Sequence, residues 1–192
     1  MEIPYVFVRD FSRIFSLRHT MKKTEGLMEN RRKREYPSLD GVEEDHRSLR
    51  IISPAYAGRE GEMTAILQYV YQSIVLGARC EEEVARALHQ ISVDEMMHLQ
   101  LLGTLICKLG APPTFTSCPP YPVGYYSASN VDYTRSPQKM ILSDIAAERA
   151  AIVAYEKMLL QLTNERVRAV ISAICEEERE HLCRLETLLL QV

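Results

Sequence analysis

The sequence predicts an all-α protein: a bundle of four helices, built as two antiparallel hairpins joined by a long crossover loop. Three observations carry this prediction. Apolar residues return at three- and four-residue steps along four long stretches, the period of a helix with one buried face. Only eight Gly and nine Pro occur in 192 residues, and most of the prolines fall between the periodic stretches, where they break nothing. The gaps after the first and third stretches are a few residues long, whereas the middle one, Gly110–Arg135, is about 26.

The first helix is predicted from about Ala55 to Gly77, with Ile66, Tyr69, Val70 and Ile74 on its apolar face. The second opens at Cys80-Glu-Glu-Glu, since acids suit the exposed N–H groups of a first turn, and ends at Gly110-Ala-Pro-Pro. Ser136-Pro137 supplies an N-cap and first-position pair for the third helix. Asn164 caps the fourth, which runs to the C-terminus. Short turns make each successive pair an antiparallel hairpin. The middle loop, rich in Pro, Tyr, Ser and Gly, is long enough to return the chain from one end of the bundle to the other.

Composition bounds the function. The length supports one domain with an extension, and 46% hydrophobic with 26% charged residues is usual for a globular protein. A net charge of −3 weighs against a nucleic-acid partner, and no apolar run approaches the ~18 residues of a membrane span. Residues 1–50 carry +2 and the remainder −5. Within Tyr5–Lys23, Phe7, Phe11, Ile14 and Met21 alternate with Arg9, Arg13, Arg18, Lys22 and Lys23. This pattern reads as a loosely docked arm, as a basic amphipathic helix for a membrane surface or partner, or as a targeting segment. Arg31-Arg32-Lys33-Arg34, followed by Pro37, Asp40 and Gly41, reads as a solvated linker. Residues 1–52 are therefore expected as a basic arm and linker, and 53–192 as the bundle. Five cysteines without a C-x-x-C pair exclude a zinc ribbon or rubredoxin-type iron site, and their odd number fits a reducing cytoplasm. Cys107 and Cys183 fall inside helices and are expected as small core residues.

An internal repeat carries the chemistry. Glu62-Met-Thr-Ala-Ile-Leu-Gln-Tyr69 and Glu148-Arg-Ala-Ala-Ile-Val-Ala-Tyr155 share E-x-x-A-I-x-x-Y. Ile91-Ser-Val-Asp94-Glu95-Met-Met-His98-Leu99 and Ile174-Cys-Glu-Glu177-Glu178-Arg-Glu-His181-Leu182 share I-x-x-[DE]-E-x-x-H-L. Glu and His three apart stand on one helix face a turn apart, so both can reach one ion. Two such helices, each hairpinned to a helix with one inward Glu, direct Glu62, Glu95, His98, Glu148, Glu178 and His181 to one region of the core, the arrangement of a dimetal bundle. Buried carboxylates must be paired or bind metal, and two divalent cations offset four of them to zero.

With these motifs on the page, Ser53 to Val192 resemble the ferritin-like superfamily, its rubrerythrin and manganese-catalase branch in particular. The resemblance implies that the six residues above bind two iron or two manganese ions. It also implies that Tyr69 and Tyr155 lie near the metals, core packing being the plainer reading, and that Asp94 and Glu177 hydrogen-bond the ligand imidazoles. Two departures stand out. The additional rubrerythrin Glu one turn from the third-helix ligand is absent, with Ala151 and Ile145 at the flanking positions. Manganese catalases usually take the His of the fourth helix without its Glu, here Glu178. The function implied is oxidation–reduction of hydrogen peroxide or dioxygen, by a homo-oligomer that draws on an external electron-donor protein if it is a peroxidase. The alternative is iron binding or storage with slow ferroxidase activity.

Overall fold

The structure is a computed structural model that describes residues 35–119, 121 and 124–192. The Tyr5–Lys23 pattern and the Arg31–Arg34 run lie outside these residues. Among the described residues five α-helices form: α1 His46–Ala57, α2 Glu62–Gly77, α3 Glu82–Lys108, α4 Pro137–Gln161 and α5 Glu165–Leu189. Helices α2 with α3 and α4 with α5 are the two predicted hairpins, and α3 also packs on α5.

Helix α1 is the departure. Asp45 caps it by accepting from the backbone N–H groups of Arg47 and Ser48, and Leu49, Ile52 and Tyr56 are buried against α3 and α2. The compact unit thus begins at Tyr36, and residues 36–52, expected as linker, pack with the bundle. The predicted first helix is in fact two, because the chain turns sharply at Gly58–Gly61. A side chain at either glycine would collide with the carbonyl oxygens of Pro54 or Ala55, so this close approach requires glycine.

Of the expected caps, Asn164 acts through its side chain, whereas Ser136 takes the N-cap position of α4 without a side-chain hydrogen bond. Pro137 occupies the first turn of α4, and Asn164 accepts from the N–H groups of Arg166 and Val167 at the start of α5. The crossover between α3 and α4 is pinned along its course. Tyr56 donates to the Pro113 carbonyl (3.1 Å), Gln68 accepts from the Asp132 N–H (2.8 Å) and Tyr71 donates to the Tyr133 carbonyl (3.1 Å). Arg79, at the α2–α3 turn, reaches the Arg135 carbonyl, so α4 starts at the same end of the bundle as α3.

Three apolar expectations are corrected. Ile74 is 66% exposed, because the buried face of α2 is Glu62, Ile66, Tyr69, Gln72 and Leu76. Cys107 and Cys183 are exposed, each out of phase with the buried face of its helix, and Cys175 is the buried cysteine. The core itself falls into two apolar clusters. One gathers Leu49, Ile52, Leu102, Ile106, Val170 and Ile174, and the other Leu76, Leu88, Ile91, Ile141, Ile145 and Leu185. On α3, α4 and α5 the repeated acids and histidines fall between the residues of the two clusters, and on α2 Glu62 precedes the residues of the second.

Candidate metal centre

Each of the four bundle helices delivers its motif residue to this middle layer. Glu62 comes from α2, Glu95 and His98 from α3, Glu148 from α4, Glu178 and His181 from α5, and all six are at most 4% exposed. They form two groups, Glu62–Glu95–His98–Glu178 and Glu95–Glu148–Glu178–His181, in each of which the nearest donor atoms lie within 4.8 Å of one another. Glu95 and Glu178 belong to both. Glu178, the residue at which the manganese-catalase pattern differs, is therefore placed as centrally as Glu95.

The imidazoles set the geometry. His98 Nδ1 stands 3.0 Å from Glu95 Oε2, 3.1 Å from Glu178 Oε1 and 3.8 Å from Glu62 Oε2. His181 Nδ1 mirrors it, 3.0 Å from Glu95 Oε1 and 3.2 Å from Glu178 Oε2. The opposite ring nitrogens face the acids that precede the E-x-x-H motifs. His98 Nε2 is 3.1 Å from Glu177 Oε2, and His181 Nε2 is 3.7 Å from Asp94 Oδ2. The tyrosines cross between the hairpins: the Tyr69 hydroxyl donates to Glu148 and the Tyr155 hydroxyl to Glu62. The structure thus brings all ten sequence-predicted residues into one layer.

The donor set fits a pair of divalent cations. Glu95 Oε1 and Glu178 Oε1 are buried beside an imidazole nitrogen yet make no hydrogen bond, as expected of oxygens directed at a shared cation. Electrostatics say the same. Burial, reinforced by Glu95 and Glu178, pushes the Glu62 and Glu148 carboxyls well above the usual range. Burial works against the Glu95 and Glu178 carboxylates too, but His98, His181 and their hydrogen bonds hold both below it. Burial likewise disfavours charged imidazoles, and the facing carboxylates outweigh it, raising His98 and His181 well above 6.5. Burial and the neighbouring carboxylates keep the Tyr69 and Tyr155 phenols protonated. Four acids in so small a volume demand compensating positive charge, from protons or from metal.

Three features were not read from the sequence. A cleft of about 600 Å³ opens between α2 and α4, walled by Ala65, Ala147, Ala151 and Ala154, with Glu62, Glu148, Tyr69 and Tyr155 also lining it. Asp144, one turn before Glu148, is buried at its edge and accepts from Gln72 Nε2 at 2.9 Å. Its four-residue spacing from Glu148 was the available signal. Tyr36 donates to Glu177 Oε2 at 2.9 Å.

A family model for ferritin-like proteins matches residues 57–152, half of the chain. This chain belongs to the ferritin-like family. Among solved structures, the ferritin-like bundle is similar to a manganese catalase, KatB, from Anabaena PCC7120. The identity is 21%, over 83% of this chain and 78% of that one, with a TM-score of 0.70. It is also similar to the bacterioferritin of Desulfovibrio desulfuricans, with 26% identity, 74% and 78% coverage and a TM-score of 0.62. Mycobacterium tuberculosis bacterioferritin gives 21% identity, 77% and 86% coverage and a TM-score of 0.63. Among curated protein sequences none matches. No described helix is long and apolar enough to cross a membrane.

Proposed function

We propose that this ferritin-like protein is a dimetal oxidoreductase, with two iron or two manganese ions, that acts on hydrogen peroxide or dioxygen. The observation that carries the reading is the pair of donor groups sharing Glu95 and Glu178 beside a cleft that reaches Glu62 and Glu148. Glu95 and Glu178, common to both donor groups, would help to hold both ions. Glu62 with His98 and Glu148 with His181 would complete one site each. The metal pair would supply two-electron redox chemistry. The protein's own part is to hold the His98 imidazole by Glu177, with Asp94 facing His181 at 3.7 Å, and to keep a proton on Tyr69 and on Tyr155 where the cleft meets the carboxylates.

The alanine wall admits small molecules to the site, and Ala151 leaves open the space that a further Glu would fill. That supports a catalase-like cycle, in which peroxide is both oxidant and reductant, over a peroxidase, which would need an electron-donor protein. The four exposed cysteines suit a cytoplasmic location. The bacterioferritin likeness favours a second reading, iron storage with slow ferroxidase activity.

One experiment separates them. Protein loaded with manganese or iron is expected to hold two ions per chain and consume peroxide, and His98→Ala or His181→Ala to abolish consumption while the helical circular-dichroism spectrum persists. Iron uptake far beyond two ions per chain, without peroxide consumption by either metal form, would put storage in its place.

A further inference from the structure

We infer that Tyr36 is a positioning residue for one of the two metal positions, acting on His98 through Glu177. The inference rests on the dimetal reading. Tyr36 precedes α1 and lies 141 residues from Glu177, yet its hydroxyl donates to Glu177 Oε2 at 2.9 Å. The same oxygen is 3.1 Å from His98 Nε2, and the other face of that imidazole presents Nδ1 to Glu95 and Glu178. An ionised carboxylate only accepts hydrogen bonds. By taking the Tyr36 O–H, Glu177 is fixed as the acceptor for Nε2–H, which leaves the Nδ1 lone pair as the metal donor.

The two halves of the centre are supported differently. His98 is fully buried and backed by Glu177, itself 4% exposed, with Tyr36 behind it. His181 Nε2 stands farther from its acid, 3.7 Å, and that acid, Asp94, has a side chain 27% exposed to solvent. The internal repeat therefore does not make two equivalent sites: Tyr36 is an addition from outside the repeat that serves the His98 half. The His181 half is a built-in control.

The test is a cobalt(II) titration of the full chain, followed by calorimetry and by the visible d–d absorption. The parent protein is expected to bind two ions. Tyr36→Phe, which keeps the ring, should weaken one of them by about 3–10-fold, less than the about 10–100-fold usual for losing the histidine's own partner, here Glu177, and leave the other unchanged. The absorption of the weakened ion should change, while the melting temperature of the metal-free protein stays at the parent value. Adding Tyr36→Phe to Glu177→Gln should cost nothing beyond Glu177→Gln alone. Two ions bound by Tyr36→Phe with parental affinities would overturn the inference and leave the dimetal reading standing. So would losses in both ions accompanied by a lower metal-free melting temperature, which is the mark of a merely structural tyrosine. A parent that binds no cobalt would overturn both.

Discussion

Asp144 shows how one residue beside the centre shapes the protein's response to pH. Its side chain is 1% exposed, Oδ1 accepts from Gln72, and Oδ2 makes no hydrogen bond. Burial pushes its carboxyl up to about 7, against the hydrogen bond from Gln72. Between the unfolded value of 3.8 and about 7 the folded state holds a proton that the unfolded state has lost, so stability falls as pH rises through this window. Asp144→Asn removes the decline. Measured by urea unfolding, the variant should gain about 2–3 kcal/mol on its parent between pH 5 and pH 8. An offset that is the same at both pH values would refute this. Residues of this kind mark the limit of what a sequence discloses. Glu95 and His98 were legible because helical spacing alone puts them on one face, and the repeat supplied their counterparts. Asp144 meets Gln72 across 72 positions and Tyr36 meets Glu177 across 141, distances at which no local period operates.

At the scale of elements, the helices were legible wherever an apolar stripe and a cap coincide, as at Pro137 and Asn164. Helix α1 was hidden by Pro54 inside it and by the charged segment before it, and only its packing on α3 reveals its buried face. The α2–α3 turn carries a detail with a measurable consequence. Glu81 N–H bonds back to the Leu76 carbonyl and Cys80 N–H to that of Gly77, closing the end of α2 with Cys80 at φ 65°. That left-handed conformation costs a side-chain-bearing residue roughly 1–2 kcal/mol, and glycine adopts it freely. Set against the greater freedom glycine has in the unfolded chain, Cys80→Gly should stabilise the protein by about 0.5–1 kcal/mol. Chemical unfolding in the presence of reductant measures this; a destabilised variant would contradict the account of the turn.

Over the whole molecule, the carboxylate–imidazole layer divides the apolar core in two, and its charge must be offset for both halves to pack. Without metal, protons do this. Glu62 and Glu148, with raised carboxyls, favour the folded state least where the unfolded chain has released their protons, so their contribution falls as pH rises above about 4.5. His98 and His181, also raised, contribute stability below about 6.5 that is lost as pH rises through their folded values. Glu95 and Glu178 act oppositely, but only as pH falls below about 4.5. From pH 5 to 8, then, Glu62 and Glu148, joined above about 6.5 by the two histidines, lower the stability of the metal-free protein, while Glu95 and Glu178 leave it unchanged. Metal binding requires the deprotonated donors and becomes stronger over the same interval. The two trends add. The difference in melting temperature between manganese-loaded and chelator-treated protein should therefore widen steadily from pH 5 to pH 8, and loading at pH 6 should release protons into a weakly buffered solution. If that difference stayed constant with pH, or narrowed, the six residues would not be exchanging protons for metal.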